Sequence, residues 1–142
     1  MTFLVRRSIL ACFAATVMAA ALAACAAVER GQLREERDER ANVYPQNYKS
    51  DLLAYLRVYL NDPTNVRDAY VAEPAIKNVG FGNRYVVCVR FNAKNSEGRY
   101  LGSKEGMAIF AEGRLDQFSN RAREQCSQAD YKPFPELEAL SR

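Results

Sequence analysis

Between Arg84 and Ala93 the chain alternates with a period of two. Tyr85, Val87, Val89 and Phe91 fall on one face of a strand, and Val86, Cys88, Arg90 and Asn92 fall on the other. The first face is the one expected to pack on a helix. Upstream, the spacing supplies that helix: Tyr48, Leu52, Leu56, Tyr59 and Leu60 recur every three or four residues, with Leu53 beside them, and Asn61-Asp62-Pro63 stops the run. Tyr55 lies off this stripe and is expected at the surface. Val66 to Ile76 is rich in β-formers without clean alternation, and Pro74 ends that strand or puts it at an edge. Asn78 to Asn83 has the chemistry of a turn, with Gly80 and Gly82 free to take positive φ.

Beyond Ala93 the pattern continues as a meander. Asn95-Ser96-Glu97-Gly98 turns the chain, a third strand is expected over Tyr100 to Ala111 with Gly102 and Gly106 as bulge positions, and Glu112-Gly113 turns it again. A short fourth strand, Arg114 to Phe118, competes with a helix starting near Asp116, because Phe118, Ala122 and Cys126 stand at helical spacing. Pro133-Phe134-Pro135 is held extended by its prolines, leaving Phe134 to enter a groove before a last helical turn over Glu136 to Leu140. Together these elements predict an α+β fold, with an N-terminal helix packed on a three- or four-stranded antiparallel sheet.

The first residues follow a different rule. After Arg6 and Arg7, Ile9 to Val28 carries no charge and is dominated by alanine. That is the pattern of a secretory signal: a short basic start, a weakly apolar run and small residues at its end. Leu22-Ala23-Ala24-Cys25 closes the run and resembles the lipobox of bacterial lipoprotein precursors at all four positions. The resemblance implies that residues 1–24 are a removed signal peptide. It also implies that Cys25 becomes the N-terminus, with a diacylglycerol on its sulfur and, in Gram-negative bacteria, a further acyl chain such as palmitate on its amine. Several acyl chains at one point make a stable anchor. Ala26 in place of aspartate is compatible with sorting to the outer membrane, with the domain facing the periplasm. An uncleaved membrane anchor, or ordinary cleavage near Ala19-Ala20-Ala21, are the alternatives. The residues from Glu29 to Arg40 are mostly charged, with both signs mixed, and read as a solvated tether. The expected organisation is therefore a signal peptide over 1–24, a lipidated N-terminus and tether over 25–43, and one domain over 44–142.

Composition narrows the chemistry. The chain of 142 residues has no histidine, which removes the commonest general base and a frequent metal ligand. Of 20 basic residues, Arg6 and Arg7 leave with the leader, so the mature chain nearly balances its 17 acids and points to no polyanion. Cys12 lies in the leader and Cys25 in the lipobox. Cys88 and Cys126 remain, and in an oxidising compartment they are expected to form a disulfide. Because Cys88 alternates away from the helix-facing residues, that bridge would lay the C-terminal segment on the opposite side of the sheet.

No serine-histidine, serine-lysine or dinucleotide motif is present. The sequence calls for no cofactor and no metal. Glu73, Glu105, Glu112 and Asp116 are available for carboxylate chemistry, but no pair stands out. The positive signal is a set of cations and tyrosines: Arg84, Arg90, Arg99 and Lys104 with Tyr85 and Tyr100. These could receive an acidic partner such as peptidoglycan carboxylates, lipid phosphates or an acidic protein surface. The expectation is a lipid-anchored accessory or binding module for envelope proteins or cell wall, with no role for nucleic acid. An envelope enzyme using carboxylates is one alternative. The other is an inhibitor of lytic enzymes, presenting the Asn78–Asn83 or Asn95–Gly98 loop.

Overall fold

The computed structural model describes residues 30–141, so the expected signal peptide, the lipobox-like Leu22-Ala23-Ala24-Cys25 and the lipidation expected at Cys25 lie outside the described residues. Residues 30–41 form helix α1, and from Asp38 onward the chain belongs to one compact unit, Asp38–Arg142. That unit starts ahead of Tyr44. The Asp38 carboxylate pairs with Arg84 at 2.8 Å, the Glu112 N–H donates to the carbonyl of Ala41 at 2.9 Å, and Tyr44 meets the Tyr85 ring edge-on.

Helix α2 (Tyr48–Tyr59) buries Tyr48, Leu52 and Leu56, one residue per turn on one face. The Leu60 N–H closes on the Leu56 carbonyl, and Pro63 soon prevents continuation. Two details of the expected stripe change. Tyr59 is 42% exposed, while Tyr55 is half-buried, stacked on Tyr59 and against Phe118. A ring arriving from the last strand of the meander covers the side of the helix that the sequence left open.

The strands are β1 (Asp62–Ala72), β2 (Ala75–Asn78), β3 (Asn83–Lys94), β4 (Lys104–Ala111), β5 (Arg114–Ser119) and β6 (Tyr131–Pro133). They form one antiparallel sheet in the order β5-β4-β3-β1-β6, with β2 also paired to β3. Six strands replace the three or four expected. Glu73-Pro74 breaks the stretch Val66 to Ile76 into two, because proline offers no donor to a ladder. The sixth, β6, ends in Pro133 and pairs along the β1 edge, where a missing N–H is tolerated. The remaining elements are the short helices α3 (Arg123–Cys126) and α4 (Pro135–Glu138).

The meander also departs from its expected boundaries. β4 begins at Lys104, and Tyr100 joins the ladder only through an isolated bridge to Lys94. Gly106 makes no bulge: it pairs in regular register with Val89, and a Cβ there would lie 2.4 Å from the Phe118 ring. The irregularity falls instead between Ile109 and Phe110, opposite β5. Residues Arg114–Ser119 are strand, so no helix starts at Asp116. Glu112 and Gly113, at φ of 52° and 75°, make the tight turn that commits the chain to pairing back.

The two faces of β3 sort into two cores. Val87, Val89 and Phe91 join α2, Ala108 and Phe110, together with Phe134, Leu137 and Leu140 from the C-terminal segment. Val86 and Cys88 join Met107, Ile109, Ala122 and Cys126 on the other side. There Cys88 and Cys126 are bridged, with Cα atoms 5.8 Å apart. Helix α3 thus lies on the face away from α2, as the alternation of β3 implies. The chain then pairs along the sheet edge as β6 and returns Phe134 to the α2 side.

Candidate functional site

The feature that assembles the site is a distortion of β1. Asn65 and Asp68 have φ of 56° and 52°, and the register with β3 shifts on either side of Arg67. Left-handed conformations at non-glycine residues inside a strand mark bulges, which re-aim side chains. Arg67 comes opposite Asn92 and Tyr70 opposite Arg90, so residues three apart share the face that also carries Cys88. A regular strand would send them to opposite faces. The C-terminal segment pins this shape: the Ala69 N–H donates to Glu138 Oε1 at 2.9 Å, and the Phe134 N–H donates to the Ala69 carbonyl at 2.8 Å.

On this face, cations rest on tyrosine rings. The Arg90 guanidinium carbon lies 4.9 Å from the centre of the Tyr70 ring and 4.8 Å from that of Tyr131. Arg67 stands 4.2 Å from the Tyr100 ring centre, and Lys94 Nζ lies 5.5 Å from the same point. The Tyr100 hydroxyl donates to the Asn65 carbonyl at 2.6 Å, which ties the ring to the bulge. The Tyr131 hydroxyl donates to Glu105, the cross-strand neighbour of Arg90. Burial, then this hydrogen bond, pushes the Tyr131 phenol well up, so it stays a neutral donor. Tyr48 behaves alike: burial and its bond to Glu73, just beyond the end of β1, push it up to about 12.

Arg67 and Arg90 take no part in the ion pairs Arg84–Asp38, Arg99–Glu97 and Lys132–Glu73, while Asp62 stands across the ladder from Lys94 and Glu105 across from Arg90. Between Arg90 and Lys94 on β3 stands Asn92, whose Oδ1 is buried without a donor. An unpaired buried acceptor costs about 1–3 kcal/mol, and the fold carries that cost at the centre of the cation group.

The residues singled out from sequence are distributed unevenly. Arg90 and Tyr100 belong to this group. Arg84 does not: it is only 8% exposed and is held by Asp38 and the Asn83 carbonyl. Tyr85 faces the α2 side, against Tyr44. Arg99 is exposed in the β3–β4 loop and pairs with Glu97. Lys104 lines an adjoining open groove of about 280 Å³ with Tyr59, Leu60, Phe91, Lys94 and Leu101. Arg67, Lys94, Tyr70 and Tyr131 complete the cluster: Lys94 continues the Arg90–Asn92 face of β3, the register of β1 on β3 brings Arg67 and Tyr70, and that of β6 on β1 brings Tyr131.

The candidate carboxylates do not converge. Glu73 bonds Tyr48 and Lys132, Glu105 bonds Tyr131, Glu112 sits in the β4–β5 turn and Asp116 lies on β5. Among the described residues no three potential metal ligands gather, and no helix is long and apolar enough to cross a membrane. In comparisons with known proteins, no family model, curated protein or solved structure matches this chain.

Proposed function

We propose that the protein is a lipid-anchored lipoprotein of the bacterial cell envelope, and that its domain is a non-catalytic binding module for an anionic envelope component, protein or cell wall. The lipobox Leu22-Ala23-Ala24-Cys25 supports the anchor. The binding role rests on one observation: Arg67, Arg90 and Lys94 are positioned on one face by the rings of Tyr70, Tyr100 and Tyr131. A ring fixes a guanidinium through its face and leaves the in-plane N–H donors free, which is the arrangement an incoming carboxylate or phosphate needs. A salt-bridged arginine such as Arg84 has already spent that capacity.

Capture in cells tests this reading. The tagged chain, crosslinked and analysed for both proteins and wall sugars, should hold an acidic protein or a muropeptide. Arg90→Glu should lose that partner, while Arg57→Glu on the exposed side of α2 should keep it. Equal capture by both variants would overturn the assignment of the face.

A further inference from the structure

The cation group continues into the loop that joins β3 to β4. Residues 95–103 carry Leu101, 58% exposed, beside Tyr100. Lys94 and Lys104 stand at the two ends of the loop, Arg99 lies within it, and Arg67 covers the Tyr100 ring from β1. The exposure of Leu101 is built in. Asn95 Oδ1 accepts from the backbone N–H of Glu97 at 3.0 Å and of Arg99 at 2.9 Å, while Gly98 and Gly102, at φ of 74° and 90°, turn the chain on either side of it. The loop is therefore folded, with its apolar side chain outward.

We infer that this end of the sheet is a contact surface for an anionic lipid bilayer, with Leu101 entering the interface and Arg67, Lys94 and Lys104 meeting lipid phosphates. The inference rests on the reading that the cation face receives anions, and it names the partner. Two features favour a bilayer over an acidic protein. The cations come from β1, the end of β3 and the start of β4, beside a groove that is open and not an enclosed pocket fixing one partner geometry. A lipid surface supplies phosphates at any spacing, so it needs none. Next, a single protruding leucine ringed by cations matches an interface that is apolar within and anionic at its rim.

The experiment uses the chain from Ala26 onward, which lacks the acylated cysteine and contains the whole compact unit Asp38–Arg142. It is sedimented with vesicles of phosphatidylcholine, with or without phosphatidylglycerol. Binding is expected only to the anionic vesicles, weakening as salt screens the surface over about 10 Å. Arg67→Glu with Lys94→Glu should reduce it at least about tenfold, since each reversal replaces an attraction by a repulsion. Leu101→Asp should reduce it too, and Arg57→Glu should not. Retained binding by Leu101→Asp, or equal losses with Arg57→Glu, would overturn the proposal. Displacement by inorganic phosphate would do the same, by assigning the site to a free anion. If vesicles fail to bind but poly-glutamate binds through Arg67 and Lys94, the bilayer is excluded and the binding-module reading stands. If neither binds, both fall.

Discussion

Replacing Cys88 and Cys126 together by alanine is expected to lower the unfolding free energy by about 4 kcal/mol. The bridge closes 38 residues, and in the chain-entropy model a loop of that length restricts the unfolded chain by about that amount. Small domains total only about 5–15 kcal/mol, so the loss removes a large share. The core on this side explains why the effect should be local as well as global. Helix α3 has four residues, too few to persist alone, and it meets the sheet through Ala122 and Cys126. Denaturant unfolding of the oxidised chain, the reduced chain and the double variant measures the effect. The reduced chain and the variant should agree, and amides of 120–130 should exchange sooner than those of β3 and β4. An unchanged midpoint would mean that the bridge closes a segment already fixed by packing.

Phe134→Ala should be nearly as damaging, at about 3–5 kcal/mol. The ring is fully buried among residues of α2, β1 and β3, and its own N–H holds the Ala69 carbonyl at the bulge of β1. The variant therefore combines a cavity with a loosened hold on α4, whose Glu138 satisfies the Ala69 N–H. Phe134→Leu, which keeps most of the volume, should cost much less. The measurement is chemical unfolding of both variants with amide exchange along 131–140. A loss under about 1 kcal/mol for the alanine variant would place the C-terminal segment outside the core.

What was readable in the sequence follows from how far each residue's partners lie along the chain. Strand β3 was readable because both of its faces are buried, so Val87 and Val89 alternate with Val86 and Cys88. Helix α2 and the Glu112-Gly113 turn are likewise local patterns. Strand β1 was blurred because bulges at Asn65 and Asp68 break its period. Strand β6 has three residues, one of them proline, and exists because β1 offers an edge. The site was the least readable part. Arg84 and Arg90 look equivalent, sharing a face of one strand. Asp38, far back in a charged stretch, neutralises the first, while Tyr70 and Tyr131 hold the second open. Neither relation has a local signature.

The most direct test of the cation face reads the guanidinium groups themselves. Arginine side-chain N–H resonances would be followed by nuclear magnetic resonance while a soluble polyanion, inositol hexakisphosphate, is added to the chain from Ala26 onward. The account predicts saturable shifts at Arg67 and Arg90, with Arg57 and the Asp38-paired Arg84 nearly still. Shifts of equal size at all four arginines, or the largest at Arg57, would contradict it.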